Sequence, residues 1–460
     1  MSRLLVAAPP FAGHLYPLIA IAKRLRDQGH DVRFATAPGA VPLLHRLDFP
    51  VDPLLADDPT VLERIGNTDE PVGNNPLRLV TQLRQNLAIL PQALAELQAM
   101  VDRQSPDAVI ADFTAPVAGW AAERAGIGWI TTIPTPFAIE NRRGTPSYCG
   151  GWSEPTKPWH RVRDAAGRLA VHTFKSSVGL AFRRRLDALG TSVYRADGTE
   201  AVYSPQAILG LGLPELEFDR DWPAAFELIG PVTESPEPTP APGFLTPDRP
   251  RVLVTLGTHL PWAKRSLVDE VRGLAGRTPD LEFVVSMGRP GAPLHEQVAP
   301  GVWVSNYLSY DDVLGRFSAV IHHGGAGVSY STLRAGLPAL VKPHDYDQPD
   351  FAARLVARGC ALRVRDLDSA RTAQALEQVL GGSSVGGLSQ APGGLSQAPG
   401  GLSQTPGSLS QTPGSLSQAA GSLSEAAGSL SEVAVLQSAI QRADPYAAVA
   451  AAVARVTRSG

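Results

Sequence analysis

The 460-residue sequence has little of several features that would each indicate a class of protein. It holds two cysteines, Cys149 and Cys360, which are too few for the disulfide framework of a small secreted protein. No stretch reaches the roughly 18–20 apolar residues of a membrane-spanning helix. The first apolar run follows a single arginine and is broken by Pro9 and Pro10, so it is a poor signal peptide. We therefore expect a cytoplasmic protein.

An excess of charge of one sign is also lacking. The chain has 41 basic and 44 acidic residues, a net charge of −3, and no long charged run. This balance indicates neither a nucleic-acid partner nor an anionic membrane surface. With 43% hydrophobic residues, the chain is long enough to build two domains that each have a core.

The most informative segment lies in the second half of the chain. Residues 319–321 predict a buried strand, and residues 328–335 predict a helix. Between them lie His323 and the glycine-rich loop 324–327. Glycines let a backbone approach a ligand closely, and the first turn of a helix offers unpaired N–H groups to an anion. The pattern is typical of a phosphate cradle, although an ordinary strand-to-helix turn would share it.

The amino terminus predicts a β-loop-α-β unit. Residues 3–8 and 31–36 are strand candidates, and the loop after the first of them ends at His14. No G-x-G-x-x-G follows that strand, so the dinucleotide-binding fingerprint is absent. Ligands of open α/β sheets bind at the carboxyl ends of the strands, which is where His14 would lie. Asp112 ends another apolar run and would lie at the same edge, or would cap the next helix.

These motifs resemble those of family-one glycosyltransferases, in particular the bacterial antibiotic and natural-product enzymes. The family pattern H-G-G-x-G-T, helix, P-x-x-x-D-Q is matched between His323 and Gln348, and its opening G-H-x-x-P is matched by residues 13–17. The resemblance implies the α/β fold called GT-B, with two Rossmann-like domains facing across a cleft. It also implies an inverting, metal-independent sugar transfer from a nucleotide sugar to a small-molecule acceptor, without a cofactor.

The same resemblance assigns roles to individual residues. His14 would be the catalytic base and Asp112 the carboxylate that orients it. Tyr148, Trp152 and Trp159 favour an apolar or aromatic acceptor, although core packing would explain them equally well. The positions that would bind the donor are Gly257, Thr258, Tyr307, His323, Gly324, Gly325, Gly327, Val328, Ser329, Asp347 and Gln348.

Several positions depart from the family pattern. Val328 replaces the usual Thr or Ser, which removes a phosphate-contacting hydroxyl unless Ser329 substitutes for it. Tyr310 replaces a glutamine in the nucleobase segment, where Tyr307 keeps the aromatic position. Ser331 stands where the plant enzymes carry a ribose-binding glutamate. A dTDP-sugar, which lacks the 2′-hydroxyl, would tolerate that loss best, so we expect dTDP rather than UDP.

Three alternatives remain open at this point. Asp345 and Asp347 form a D-x-D that would bind a divalent metal in a different glycosyltransferase fold, whereas the flanking Pro343 and Gln348 favour sugar binding. A nucleotide-sugar 2-epimerase could share the fold, but it would leave the G-H-x-x-P base and the D-Q pair without a role. A non-catalytic, glycosyltransferase-like binding protein is the third alternative.

The domain organisation follows from proline and from a repeat. Prolines accumulate between residues 231 and 250, which predicts an interdomain linker. Seven heptads, from GGLSQAP to GSLSEVA, carry one leucine each. The early copies, which contain Gly and Pro, predict disorder, whereas the last copies lack proline and could join the following helix. We expect an acceptor domain at 1–230, a linker at 231–250, a nucleotide-sugar domain at 251–385, the heptads at 386–434 and a helical end at 435–460.

Overall fold

The computed structural model of the protein describes residues 1–73, 75–148, 150–237, 241–245, 249–291, 294–381 and 429–458. Cys149 and the heptads up to residue 428 lie outside the described residues. Among the helices that are described, none combines the length and the apolar character needed to cross a membrane.

The first half of the chain forms a parallel sheet flanked by helices. Its strands are β1 (Arg3–Ala7), β2 (Asp31–Thr36), β3 (Val51–Pro53), β4 (Ala108–Asp112), β5 (Trp129–Ile133), β6 (Ile208–Gly210) and β7 (Phe226–Leu228). Its helices are α1 (Ala12–Asp27), α2 (Val41–Arg46), α3 (Val61–Gly66), α4 (Pro76–Gln104), α5 (Pro116–Arg124), α6 (Pro158–Ala181) and α7 (Arg183–Ala188). The strand order β3-β2-β1-β4-β5-β6-β7 reverses direction between β1 and β4, where open α/β sheets bind their ligands.

The second half forms a similar sheet with one antiparallel edge strand. Its strands are β8 (Arg251–Thr255), β9 (Glu282–Ser286), β10 (His295–Ala299), β11 (Val302–Ser305), β12 (Ala319–His322), β13 (Ala339–Val341) and β14 (Ala361–Arg363). Its helices are α8 (Leu267–Arg277), α9 (Tyr310–Val313), α10 (Ala326–Arg334), α11 (Gln348–Ala357) and α12 (Ala370–Gly381). The order is β10-β11-β9-β8-β12-β13-β14, with β10 antiparallel to β11. The expected pair of Rossmann-like α/β domains is confirmed.

The central strands are apolar because helices cover both of their faces. In β1, Leu4 and Val6 join the core under α1, while Leu5 and Ala7 join the core on the opposite face. Alternate residues of a strand point to opposite faces, so a strand covered twice reads as one apolar run. The helix after β1 begins earlier than the sequence predicted. His14 therefore lies in the first turn of α1 rather than in the loop before it.

The carboxyl-terminal helices join the two domains. They are α13 (Ser429–Arg442) and α14 (Pro445–Val456). Val433 of α13 is buried in one core with Leu333 of the second domain. Val453 of α14 is buried in the core of the first domain with Leu18. The last heptad joins the carboxyl-terminal helices, because α13 begins at Ser429 and Val433 is buried. The earlier heptads, for which the sequence predicts disorder, lie outside the described residues.

Candidate active site

A histidine and an aspartate meet at the carboxyl edge of the first sheet. Because β1 and β4 are hydrogen-bonded neighbours, the start of α1 lies beside Asp112, the last residue of β4. His14 Nδ1 lies 3.0 and 3.1 Å from the two carboxylate oxygens of Asp112. Asp112 is 1% exposed and also accepts hydrogen bonds from the backbone N–H and the hydroxyl of Thr114. The imidazole is thus held through Nδ1, with Nε2 on the opposite side of the ring.

The surroundings of His14 make it a stronger base than a free imidazole. Burial opposes the charged ring, but the charge and hydrogen bond of Asp112, with a smaller contribution from Asp347, raise the pKa above its usual 6.5. Phe113 and Phe11 lie beside the ring, at centroid distances of 5.6 and 6.4 Å. The sequence does not predict either phenylalanine as a site residue. It does place each of them near a predicted one, since Phe11 precedes His14 in the loop after the first strand and Phe113 directly follows Asp112.

The glycine loop of the second domain is shaped around His323. A Cβ atom at Gly257 would lie 2.7 Å from Cε1 of the His323 ring, and a Cβ atom at Gly325 would lie 2.4 Å from its Nε2. Only glycine leaves room for the ring at these two positions. Gly324 adopts a φ of +88°, which also favours glycine. No side chain caps the start of α10 at Gly325, so its first N–H groups have the arrangement of an anion site.

Both histidines at the end of β12 are neutral near pH 7. Burial, followed by the charges of His322, His344 and Lys264, lowers the pKa of His323 to about 3. Burial also lowers the pKa of His322 to about 3. His322 supports the loop, since its Nδ1 accepts a 3.0 Å hydrogen bond from the backbone N–H of Gly324. A neutral imidazole at His323 retains one N–H that it can donate.

Two positions expected to contact the donor have buried side chains instead. Val328 is 3% exposed and packs in the core with Leu253 and Val320. Ser329 is fully buried, and its hydroxyl has no hydrogen-bond partner among the described residues. Both side chains are buried, whereas Gly327, one position before Val328 in α10, is exposed. The hydroxyl missing at Val328 is therefore not replaced by a Ser329 hydroxyl on the surface.

The loop after β8 lies next to the glycine loop because β8 pairs with β12. Gly257 has a φ of +69° and donates its N–H to the Thr255 hydroxyl over 3.2 Å. The same hydroxyl lies 3.3 Å from the hydroxyl of Tyr310. Tyr310, which replaces the family's glutamine, thus supports the loop that carries Gly257 and Thr258.

Tyr307, the candidate for stacking on a nucleobase, lies at the junction of the domains. Its side chain is half-buried, and its hydroxyl hydrogen-bonds with Tyr16 of α1 and with Ser235 of the expected linker. These contacts fix the ring beside the first domain.

Asp347 and Gln348 lie where α11 begins, at the cleft. The Asp347 carboxylate accepts a 2.7 Å hydrogen bond from the hydroxyl of Thr135, which belongs to the first domain. Burial raises the pKa of Asp347. Gln348 holds the loop before α11, since its side-chain oxygen accepts hydrogen bonds from the N–H groups of His344, at 2.8 Å, and Asp345, at 3.2 Å.

The carboxylate of Asp345 binds the first domain. It accepts two 2.7 Å hydrogen bonds, from the N–H groups of Val72 and Gly73. Because both oxygens are engaged, the geometry does not favour the D-x-D metal interpretation of Asp345 and Asp347. Sequence reasoning missed these contacts and the Thr135 contact, because their partners lie more than 200 residues apart and leave no local pattern.

The three aromatic residues proposed for the acceptor lie in different surroundings. Tyr148 is 48% exposed, and desolvation, followed by the charge of Asp347 and smaller effects of other carboxylates that include Asp112, raises its pKa. Trp159, at the start of α6, is 60% exposed. Trp152 packs closely against Gly167 of α6. The structure thus brings Tyr148 near the two site carboxylates, while the contacts of Trp152 lie with α6.

Both halves of the chain match known families. Residues 12–138 match the family described as glycosyltransferase family 28 N-terminal domain. Residues 271–391 match the family described as erythromycin biosynthesis protein CIII-like, C-terminal domain.

Individual relatives span most of the chain. It is 27% identical to the zeaxanthin glucosyltransferase of Pseudescherichia vulneris, over 83% of this chain and 91% of that enzyme. It is 28% identical to the L-demethylnoviosyl transferase of Streptomyces niveus, over 82% of this chain and 90% of that enzyme.

Solved structures share the fold. The glycotransferase of kitacinnamycin superimposes with a TM-score of 0.66 at 20% identity over 99% of both chains. The glycosyltransferase VinC in complex with dTDP gives a TM-score of 0.61 at 19% identity over the whole of both chains. The two family matches and the relatives show that the chain is a glycosyltransferase, the solved structures show that it has the GT-B fold, and in both respects it is similar to the family-one enzymes of the natural-product type.

Proposed function

We propose that the protein transfers a sugar, with inversion and without a metal ion, from a dTDP-sugar to a hydroxyl group of a small apolar or aromatic natural product. One observation carries this proposal. The His14–Asp112 pair lies at the carboxyl edge of the first sheet, where Thr135, just after the neighbouring strand β5, donates a hydrogen bond to Asp347 of the second domain. A base on one wall of the cleft and a sugar-binding carboxylate on the other is the arrangement that sugar transfer needs.

In the proposed reaction, His14 Nε2 accepts the proton of the acceptor hydroxyl while the oxygen attacks the anomeric carbon. Asp112 stabilises the imidazolium that forms, as a carboxylate does beside any catalytic histidine. The new C–O bond forms on the face opposite the leaving group, so the anomeric configuration inverts. The electron pair of the broken C–O bond leaves with the nucleoside diphosphate.

The negative charge on the leaving group would be stabilised by the second domain. The uncapped N–H groups at the start of α10 and the His323 ring, which is confined between Gly257 and Gly325, are fixed before the reaction. Such preorganised donors are worth more at a site that excludes water than in solution. Asp347 and Gln348 would hold the hydroxyls of the sugar.

Two observations support the choice of substrates. Ser331 is buried in α10 and brings no carboxylate to a ribose 2′-hydroxyl, which favours dTDP, the ligand seen with VinC. Phe11 and Phe113 beside His14, with the half-exposed Tyr148, favour an apolar or aromatic acceptor.

The domain limits are part of the proposal. We place an acceptor domain at 1–230, a linker at 231–250 and a nucleotide-sugar domain at 251–385. These limits agree with the end of β7 at Leu228 and the start of β8 at Arg251. Residues 435–460 would form the helical end, of which α14 packs on the first domain.

The test is incubation of the pure protein with labelled dTDP- and UDP-sugars and a panel of aromatic and macrolide-like acceptors. We expect transfer from a dTDP-sugar, and we expect His14→Ala to abolish it while dTDP still binds. Removal of a general base costs about 10²–10⁴ in rate. An epimerised donor without transfer would identify an epimerase, and binding without either product would identify a binding protein.

A further inference from the structure

A buried lysine lies under the loop that forms one side of the glycine cradle. Lys264 ends the short 3₁₀ helix Pro261–Lys264 and is 6% exposed. Its ammonium donates hydrogen bonds to the backbone oxygens of Gly257, at 2.6 Å, and Met287, at 2.9 Å. Gly257 is also the residue that makes room for the His323 ring. The ammonium therefore contacts the backbone of a residue that belongs to the proposed diphosphate site.

The charge of Lys264 has no carboxylate partner among the ion pairs of the described residues. The charge of Arg289, in the loop after β9, affects the pKa of Lys264. The charge of Lys264 in turn affects the pKa values of His259 and His323. None of these is an acid. Burial, followed by the charge of Arg289, lowers the pKa of Lys264 to about 8. Burying an uncompensated cation is costly, and an anion at this place would relieve that cost.

We propose that Lys264 is a positioning residue for the donor diphosphate, that its positive charge attracts the diphosphate through the Gly257 loop, and that nucleoside diphosphate binding takes up a proton at alkaline pH. The inference rests on the proposed donor site. It adds to that site a charge that comes from neither the glycine loop nor His323.

The sign of the effect follows from linkage. In the free protein, Lys264 loses its proton as the pH rises through about 8. A bound anion favours the ammonium and raises its pKa, so the complex keeps a proton that the free protein has lost. Proton uptake is therefore expected above roughly pH 7.5, and affinity should fall as the pH rises. The last ionisation of a phosphate lies near pH 6 and does not interfere.

Calorimetric titration of the full-length protein with dTDP, or with UDP if that binds more tightly, tests the inference. The measurement is made at roughly pH 8.5 in buffers of different ionisation enthalpy, and we expect uptake of about 0.5 proton or more per dTDP. Lys264→Met should abolish the uptake and weaken binding, with an affinity that no longer depends on pH in this range. If Lys264 only held the loops of Gly257 and Met287 together, dTDP binding would not take up a proton at Lys264. Proton uptake therefore distinguishes an electrostatic role of Lys264 from a purely structural one.

A matched control is available in the same domain. Lys342 is also largely buried, but its ammonium is paired with Glu270. Lys342→Met should therefore retain the proton uptake. If Lys264→Met does not fold, Arg289→Gln serves instead, because removing this exposed charge should move the onset of uptake to higher pH.

The possible outcomes are distinct. Three results would overturn the role of Lys264 without affecting the proposed donor site. They are dTDP binding without proton uptake, undiminished uptake in Lys264→Met, and an unshifted pH dependence of uptake in Arg289→Gln. Absence of dTDP and UDP binding, or binding that His323→Ala leaves unchanged, would instead remove the donor site and this inference with it.

Discussion

The hydrogen bonds between His14 and Asp112 hold the proposed base and a neighbouring negative charge in one rigid unit. Asp112 is itself held by Thr114 and by burial, so the imidazole has one orientation relative to the cleft. The raised pKa of His14 has a kinetic consequence. The base must be unprotonated to act, so turnover should rise with pH through a value above the usual 6.5 of histidine.

The first prediction concerns Asp112→Asn. An amide cannot supply the negative charge that raises the pKa of His14, so the acidic limb of the pH–rate profile should move to lower pH, and the plateau should fall. The profile of kcat/KM from acid to neutral pH measures both effects, with dTDP affinity as the control for folding. An acidic limb that stays where it is in the parent enzyme would show that Asp112 does not tune His14.

The second prediction separates the proposed donor-binding roles of His323 and Asp347. His323→Ala should weaken dTDP itself, by roughly 1.5–3 kcal/mol for a hydrogen bond to a charged group. Asp347→Ala should leave dTDP unaffected and weaken the intact dTDP-sugar. Calorimetry with both ligands measures the difference. Thr135→Val is the control, because it removes only the interdomain hydrogen bond of Asp347. Equal losses for both ligands in Asp347→Ala would take this residue out of the sugar pocket.

At the scale of elements, the start of α10 combines two glycines with different tasks. Gly325 faces the His323 ring, whereas a Cβ atom at Gly327 would have nothing within 4 Å. Both glycines have helical or extended backbone with negative φ, so the difference between them is one of contact and not of strain.

The third prediction follows from this contrast. Gly325→Ala should displace the His323 ring and lower both the melting temperature and the affinity for dTDP. Gly327→Ala should keep or raise the melting temperature, since alanine in a helix is favoured over glycine by up to about 1 kcal/mol. Thermal unfolding of both variants is the measurement. A Gly325→Ala protein as stable as the Gly327→Ala protein would mean that the ring is not confined there.

The segment before α11 shows how one short element joins the domains. Asp345 fixes the loop at Val72 and Gly73, and Asp347 reaches Thr135. Val72 and Gly73 belong to the first domain, which we propose to bind the acceptor. This edge of the first domain is therefore held in part by residues of the second domain.

At the scale of the whole molecule, the chain returns to its first domain at the end. α13 packs on the second domain and α14 on the first, so the last thirty or so described residues tie the two together. The repeats come just before these two helices: residues 386–428 lie between α12, which ends at Gly381, and α13, which begins at Ser429 within the last heptad.

The fourth prediction is that deletion of residues 386–427 leaves turnover and melting temperature close to the full-length values. One leucine per seven residues cannot offset about 1–2 kcal/mol of backbone ordering per residue. A long loop is tolerable, because closure costs only roughly 0.6 kcal/mol per doubling of length. Thermal unfolding and turnover of the deletion protein are the measurements, with limited proteolysis of the parent as a companion. Resistance of the heptads to protease, or loss of activity on deletion, would contradict it.

The sequence by itself determined the elements and the residues whose chemistry is local. Strand, glycine loop and helix at 319–335 could be predicted because apolar periodicity and glycine act over a few neighbouring residues. The pairing of His14 with Asp112 could be anticipated because both follow parallel strands, whose carboxyl ends meet at one edge.

Only the tertiary structure decided which side chains face the cleft and what crosses it. Val328 and Ser329 turn to the core because the rotation of α10 is set by its packing on the sheet. Asp345 forms its interdomain hydrogen bonds with residues that are distant in the sequence, and no local pattern predicts them. Lys264 has no carboxylate partner among the described residues, which no local pattern predicts either. Hydrogen bonding and desolvation at these sites depend on which residues are close in space. Local periodicity in the sequence predicts only the secondary structure of the backbone.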